Sequence, residues 1–275
     1  MSAPPTQTAD ARGPDPAQRL HDQALERLNA SDWRPAVRLY DLAVGHLAAG
    51  DARRARWISE RGRALMALAH NNLAIRDFDR AMALDPNLLS APANKATVLQ
   101  NVGRLVDALE MHERACELRP NRADVHYNRG NALMELDRQP EALAAYKRAV
   151  EVDPSFQRAY SGLINGLWQR GDLNDAKAYA DQACARAPGE PENFAARALV
   201  RQTLGDLAGA RADYEHALGI DPHSVGALFN WVQMDKVRDA DDWRLGRLLD
   251  AERSTLRQGL ERASLHYALG KCYDD

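Results

Sequence analysis

The amino-acid sequence predicts an all-α protein in which antiparallel pairs of helices stack into an α-solenoid. Three features of the 275 residues lead to this prediction. Prolines recur at a constant interval, two series of alanines keep the same interval, and a turn former divides each repeat into two segments with helical apolar periodicity. A constant interval of this kind is the signature of a helical repeat array, in which each repeat buries its apolar face against the next.

The prolines mark the end of each repeat. Each follows a helix-like segment, and proline ends a helix because it lacks an amide donor and restricts the residue before it. Five prolines keep the 34-residue spacing without interruption: Pro86, Pro120, Pro154, Pro188 and Pro222.

Alanines mark the helix that precedes each proline. The first series is Ala74, Ala108, Ala142, Ala176 and Ala210, and the second, seven residues later, is Ala81, Ala115, Ala149, Ala183 and Ala217. Because residues seven apart lie on one helical face, each pair of alanines lets a neighbouring helix approach closely. An aromatic residue stands between the alanines as Phe78, Tyr146 or Tyr214, while His112 and Ala180 take this place in the other two repeats.

A turn separates the two helices of each repeat. Gly171 follows one apolar-periodic segment, and Asp172 precedes the next. Glycine tolerates the left-handed turn after a helix, and aspartate can cap the helix that follows. Other repeats carry turn formers at the equivalent place: Asn71, Gly103, Asp137 and Gly205.

The order of small residue, alanine, aromatic, alanine and proline within each period resembles the tetratricopeptide repeat (TPR). The resemblance implies a right-handed TPR superhelix whose concave face is lined by the first helix of each pair. It covers six units, 17–54, 55–88, 89–122, 123–156, 157–190 and 191–224. The first unit is longer than the other five, so we expect it to have a longer second helix or loop.

The two ends of the chain depart from the repeat. Residues 1–16 are rich in proline and have no apolar core, which predicts a disordered leader. Residues 225–275 keep a helical pattern but lack the paired alanines, and we interpret them as a divergent repeat with a C-terminal helical cap.

The composition argues against several classes of function. A formal net charge of −3 provides no positive field for nucleic acid or anionic membranes, and no apolar run is long enough to insert into a bilayer. Metal-ligand spacing, phosphate-cradling glycine loops and nucleophile motifs do not occur, so we expect no catalytic site, no cofactor and no metal. Three cysteines without a CxxC pair fit a reducing cytoplasm.

The resemblance also places candidate binding residues on the first helices. The groove positions of the family hold asparagines one period apart, Asn94 with Asn128 and Asn131 with Asn165. An amide both donates and accepts hydrogen bonds, so a ladder of them can follow the backbone of an extended peptide. Family members that transfer N-acetylglucosamine to proteins use a similar ladder. The alternative is that these side chains are solvated or bond neighbouring helices.

Five further residues surround the asparagines. Tyr127, Met134 and Trp168 are apolar anchors, and Arg63 and Arg158 are charged ones; aromatic and arginine side chains dominate the energetics of many interfaces. We therefore expect the groove to bind a partner protein or an extended, neutral or weakly acidic peptide. For Met134 and Trp168 the alternative is packing between adjacent helices.

These patterns predict a non-catalytic protein–protein interaction scaffold or adaptor. An alternative comes from residues 265–275, LHYALGKCYDD, which resemble the end of the repeat region in bacterial TPR-sulfotransferase proteins. This would make the chain the substrate-recognition or regulatory region of a longer enzyme. A third alternative is self-association through an unpaired C-terminal helix, whose apolar face would carry Leu265, Tyr267, Ala268 and Tyr273.

Overall fold

A computed structural model describes residues 15–234 and 246–250. Residues 15–234 form thirteen helices: α1 Pro16–Asn29, α2 Trp33–Gly45, α3 Arg53–Ala67, α4 Asn71–Leu84, α5 Ser90–Asn101, α6 Leu105–Leu118, α7 Ala123–Glu135, α8 Gln139–Val152, α9 Gln157–Arg170, α10 Leu173–Arg186, α11 Pro191–Thr203, α12 Leu207–Ile220 and α13 Val225–Met234. Residues 246–250 are also helical, and the described part of the chain contains no strand.

The chain divides into two compact units after Pro120. The N-terminal unit contains the pairs α1–α2, α3–α4 and α5–α6, and the C-terminal unit contains α7–α8, α9–α10, α11–α12 and the additional helix α13. Within each unit, the two helices of a pair pack together and each pair packs against the next. The predicted all-α architecture of stacked helix pairs is confirmed.

The aromatic residue of a second helix packs against a small residue of the first. A Cβ atom added to Gly62 would lie 2.7 Å from the ring of Phe78, and one added to Gly130 would lie 2.5 Å from the ring of Tyr146. Both distances are shorter than a carbon–carbon contact, so a side chain larger than hydrogen does not fit without a shift. This contact explains why the sequence combines a small residue with an aromatic in the same repeat.

The repeat of α9 and α10 exchanges these sizes. Ile164 stands where the other repeats have a small residue, Ala180 stands where they have Tyr, Phe or, in one repeat, His112, and both side chains are fully buried. The volume is therefore supplied from the first helix instead of the second. Volume-conserving exchanges of this kind are the best tolerated changes in a core.

Each turn within a helix pair contains one residue in the left-handed region. These residues, with φ between 57° and 86°, are Ser31, Ala69, Gly103, Asp137, Gly171 and Gly205. The prediction is confirmed for the three glycines and Asp137, but it was wrong for Asn71, which begins α4. Ala69 adopts the left-handed conformation there because the amide of His70 bonds the carbonyl of Leu65, which closes the helix end.

The predicted cap at Asp172 is also wrong. Asp172 precedes α10, but its carboxylate makes no hydrogen bond to the first turn and pairs instead with Arg170. Asp206 has the same position before α12, and its carboxylate accepts a hydrogen bond from the amide of Gly209 at 2.9 Å.

Three of the loops between repeats share one turn. Asp85, Asp153 and Asp221 each precede a repeat-ending proline and accept a hydrogen bond from the amide two residues on, at 2.9–3.0 Å. Such Asx turns redirect the chain after a helix. The extra residues of the first unit lie in the loop 46–52, because α2 is no longer than the other second helices.

The last part of the C-terminal unit continues the same packing. Leu228 and Trp231 of α13 join a buried cluster with Tyr214, and Leu248 from residues 246–250 is buried in the same cluster. Residues 251–275, which include the LHYALGKCYDD segment and the apolar face predicted to self-associate, lie outside the described residues, as do residues 1–14 of the predicted leader.

Candidate functional site

The first helices of the C-terminal unit form one continuous layer, because α7 contacts α9 and α9 contacts α11. We call the surface of this layer the first-helix face. It is defined by seven of the nine predicted site residues: Tyr127, Asn128, Asn131 and Met134 on α7, and Arg158, Asn165 and Trp168 on α9.

The two other predicted residues belong to the N-terminal unit. Arg63 is exposed on α3, and Asn94 is half-buried on α5. The candidate site is therefore confined to the seven residues of the first-helix face.

Tyr146 reaches this face from the second helix α8. Its ring lies between two glycines, since a Cβ atom added to Gly130 of α7 would be 2.5 Å from the ring and one added to Gly162 of α9 would be 3.1 Å away. Two adjacent first helices thus lack side chains where the ring passes between them. Burial raises the pKa of Tyr146 to about 12, so its hydroxyl remains a hydrogen-bond donor at neutral pH.

The Tyr146 hydroxyl fixes Asn131. It donates a hydrogen bond to Oδ1 of Asn131 at 2.8 Å. The carboxamide oxygen is then occupied, while the amide nitrogen of Asn131 keeps both of its N–H groups for another acceptor. One member of the predicted ladder is therefore a preorganised donor instead of a freely rotating amide.

The other two amides of the face are available. Asn128 is half-buried on α7 and Asn165 is exposed on α9. Within the described residues, neither side chain makes a hydrogen bond to another group of the chain. Because an unsatisfied amide gains most from a partner that both donates and accepts, a peptide backbone is the matching ligand chemistry.

Arg158 is held over two aromatic rings. Its guanidinium carbon lies 5.7 Å from the centre of the Tyr127 ring and 5.0 Å from that of Phe156. The two rings also meet edge to face, with centroids 5.5 Å apart. Cation–π contact restrains the long side chain of Arg158 while its charge stays exposed, which lowers the entropy lost when it binds a carboxylate.

Sequence reasoning missed Phe156. It lies in the loop before α9, outside the groove positions inferred from the family resemblance. The sequence offered one indication of its role, which is that Phe156 stands two residues before the candidate Arg158.

Trp168 connects two first helices. Its indole Nε1 donates a hydrogen bond to the hydroxyl of Thr203 at the end of α11, at 2.9 Å. The side chain is half-buried, as is that of Met134. This contact favours the interpretation of Trp168 as a residue that packs between helices and borders the face.

A ladder of ion pairs, which the sequence analysis also missed, joins successive repeats. In the C-terminal unit, Arg197 donates to Asp213 of its own repeat at 2.6 and 2.9 Å, and to Asp181 of the preceding repeat at 3.1 Å. In the N-terminal unit, Arg61 likewise bonds Asp77 of its own repeat and Asp41 of the preceding one. Arg61 and Arg197 are separated by a whole number of repeat periods, so they occupy the same position of their repeats. This recurrence could have been recognised from the sequence.

The described residues show few features that point to other chemistry. They contain no group of three or more His, Cys, Asp and Glu side chains arranged to hold a metal ion. Cys184 is buried, and burial raises the pKa of its thiol to about 11, which disfavours the reactive thiolate at neutral pH. None of the helices in residues 15–234 and 246–250 is long and apolar enough to cross a membrane.

Two segments match models of the tetratricopeptide repeat, residues 123–156 and residues 192–224. They coincide with two of the predicted repeats and together carry α7–α8 and α11–α12. A comparison with curated protein sequences found no significant match.

Solved structures of TPR proteins are similar in fold. A tetratricopeptide repeat protein from Parabacteroides merdae is 15% identical, with a TM-score of 0.66 over 92% of this chain and 98% of that one. YrrB, described as a TPR protein with an unusual peptide-binding site, is 21% identical, with a TM-score of 0.56 over 70% of this chain and 97% of its own. MamA from Desulfovibrio magneticus is 22% identical, with a TM-score of 0.55 over 65% of this chain and 98% of that one. The described chain therefore has the fold of an all-α TPR solenoid.

Proposed function

We propose that the chain is a non-catalytic protein-interaction scaffold that binds an extended peptide segment of a partner across the first-helix face. The observation that carries the proposal is the availability of Asn128 and Asn165, which have no partner within the described residues and lie on adjacent helices. The TPR fold, and the peptide-binding site named for the structurally similar YrrB, support the same function.

The arrangement favours backbone recognition. Asn131, fixed by Tyr146, offers donors to a peptide carbonyl, while Asn128 and Asn165 offer both a donor and an acceptor. Such contacts do not depend on the side chains of the peptide. Selectivity would come from Arg158, whose exposed charge favours a neutral or weakly acidic segment over a basic one.

A peptide library tests this proposal. Peptides selected from a random library against the full chain are titrated by calorimetry into the wild type and into the double variant Asn128→Ala/Asn165→Ala. Two lost hydrogen bonds predict an affinity about tenfold weaker. Because both side chains are half-buried or exposed, the variant should fold normally, which circular dichroism checks.

The matched control makes the same chemical change on second helices. Asn72 of α4 and Asn174 of α10 are exposed, so Asn72→Ala/Asn174→Ala should bind the selected peptides as the wild type does. Equal affinity of the wild type and the Asn128→Ala/Asn165→Ala variant would remove the first-helix face as the binding site. The longer-enzyme alternative stays a prediction, because the segment that suggests it lies outside the described residues.

A further inference from the structure

We propose that a groove on the second helices of the N-terminal unit is a separate docking site for an acidic, amphipathic peptide segment of a partner protein. The groove lies between α2 and α4, with α3 beneath, and has a volume of about 550 Å³. We call it the second-helix groove and define it by Val37, Leu65, Leu73, Arg76 and Arg80. It shares no residue with the first-helix face, so it goes beyond the function proposed above.

The three carboxylates around the groove are already paired with Arg61 or Lys95. Asp41 and Asp77 both pair with Arg61, which donates to Asp77 at 2.6 and 2.7 Å. Asp79 accepts a hydrogen bond from Nζ of Lys95 at 2.6 Å. None of these three carboxylates makes an ion pair with Arg76 or Arg80.

Two arginines on the rim remain without a partner. Arg76 and Arg80 are exposed and one turn apart on α4, and within the described residues neither makes a hydrogen bond or an ion pair. Arg61, Lys95, Arg76 and Arg80 carry four positive charges against the three negative charges of Asp41, Asp77 and Asp79, so the groove has a net charge of +1. Guanidinium groups one helical turn apart match carboxylates spaced by a turn on a partner helix.

Apolar side chains lie beside these cations. Val37 is half-buried and Leu65 is buried, whereas Leu73 is 47% exposed although it is a large apolar residue. An apolar centre with a charged rim is the usual anatomy of a protein interface. A nucleic acid would gain nothing from the leucines, whereas an amphipathic peptide would bury its own apolar face against them. The observations therefore favour an amphipathic acidic peptide.

A designed peptide tests the proposal. The probe is a fluorescein-labelled helical peptide with leucines on one face and glutamates beside them, and its binding to the full chain is followed by fluorescence anisotropy. The wild type should bind it, with lower affinity at about 0.5 M salt, because screening weakens exposed charge pairs. The same peptide with glutamine in place of glutamate should bind at least about tenfold more weakly.

Charge reversal on the rim is the decisive variant. Arg76→Glu/Arg80→Glu should weaken binding about tenfold or more, and Leu73→Gln should also weaken it. The control Arg19→Glu/Arg186→Glu makes the same change of net charge at two exposed arginines outside the groove and should leave the affinity unchanged. Asn128→Ala/Asn165→Ala should bind the probe normally, so a failure of the first-helix proposal would not affect this result.

Two outcomes would overturn the proposal. One is equal loss of binding in the rim variant and the Arg19→Glu/Arg186→Glu control, which would indicate attraction to net charge alone. The other is that a labelled RNA duplex binds the wild type more tightly than the peptide does and binds the rim variant more weakly than the wild type. That result would assign Arg76 and Arg80 to phosphate binding.

Discussion

Alanine in place of Gly130 should destabilise the C-terminal unit, although alanine is the better helix former. In a helix interior, glycine to alanine ordinarily stabilises by about 1 kcal/mol. Here the new Cβ would lie 2.5 Å from Cε1 of Tyr146, and the ring is also confined by Gly162 on the adjacent helix. Overpacking of this kind costs about 1–3 kcal/mol, so the steric cost should exceed the gain in propensity.

The matched control is Gly219→Ala. Gly219 lies in α12, is exposed, and an added Cβ would have no neighbour within 4 Å. Because Gly219 stands next to the last residue of α12, the substitution should raise the free energy of unfolding by less than in a helix interior, by up to about 0.5 kcal/mol.

Thermal and urea unfolding measure both variants against the wild type. For a chain of this size, 1 kcal/mol corresponds to about 2–4 °C in Tm. We expect a lower Tm for Gly130→Ala and a higher Tm for Gly219→Ala. A rise of similar size in both variants would refute the idea that the Tyr146 ring packs against the backbone of α7.

Two further substitutions test the interior of the repeats. Burial lowers the pKa of His112 from 6.5 to about 4, so the unfolded chain binds the proton first and stability should fall by roughly 3 kcal/mol as pH drops from 6.5 to 4. Urea unfolding at pH 6.5 and at pH 4 measures this loss, and His112→Phe should remove it. A variant whose free energy of unfolding falls as much as that of the wild type between the two pH values would contradict the prediction. Arg197→Met should cost about 1–3 kcal/mol, because the buried carboxylate of Asp213 loses its bidentate partner and keeps only the ion pair with Arg201 at 2.9 Å. In a double-mutant cycle with Asp213→Leu and Arg197→Met/Asp213→Leu, the loss in the double variant should be smaller than the sum of the two single losses, and additive losses would show that the pair is not coupled.

The architecture was predictable because it repeats. Each occurrence of proline, alanine and aromatic is weak evidence, but the constant spacing makes them one signal. The left-handed turn at Ala69 was not predictable in this way. Alanine gives no local sign of a positive φ, and the hydrogen bonds that close α3 impose the conformation there.

The candidate site was predictable only in outline. Repeat register places Asn131 and Asn165 at equivalent positions, yet Asn131 is bonded to Tyr146 and Asn165 is exposed. The difference arises because the residue equivalent to Tyr146 in the repeat of Asn165 is Ala180, which has no hydroxyl to donate. The register shows this exchange, but it does not reveal that the hydroxyl of Tyr146 reaches Asn131. The stacking of Arg158 on Phe156 likewise depends on a loop residue outside the repeat positions.

A crystal structure of the full chain with a peptide selected from the library would test the proposed binding most directly. The proposal predicts an extended segment on the first-helix face, with main-chain atoms within hydrogen-bonding distance, about 3 Å, of the side-chain amides of Asn128 and Asn165. A peptide bound elsewhere, with both amides left in solvent, would contradict it.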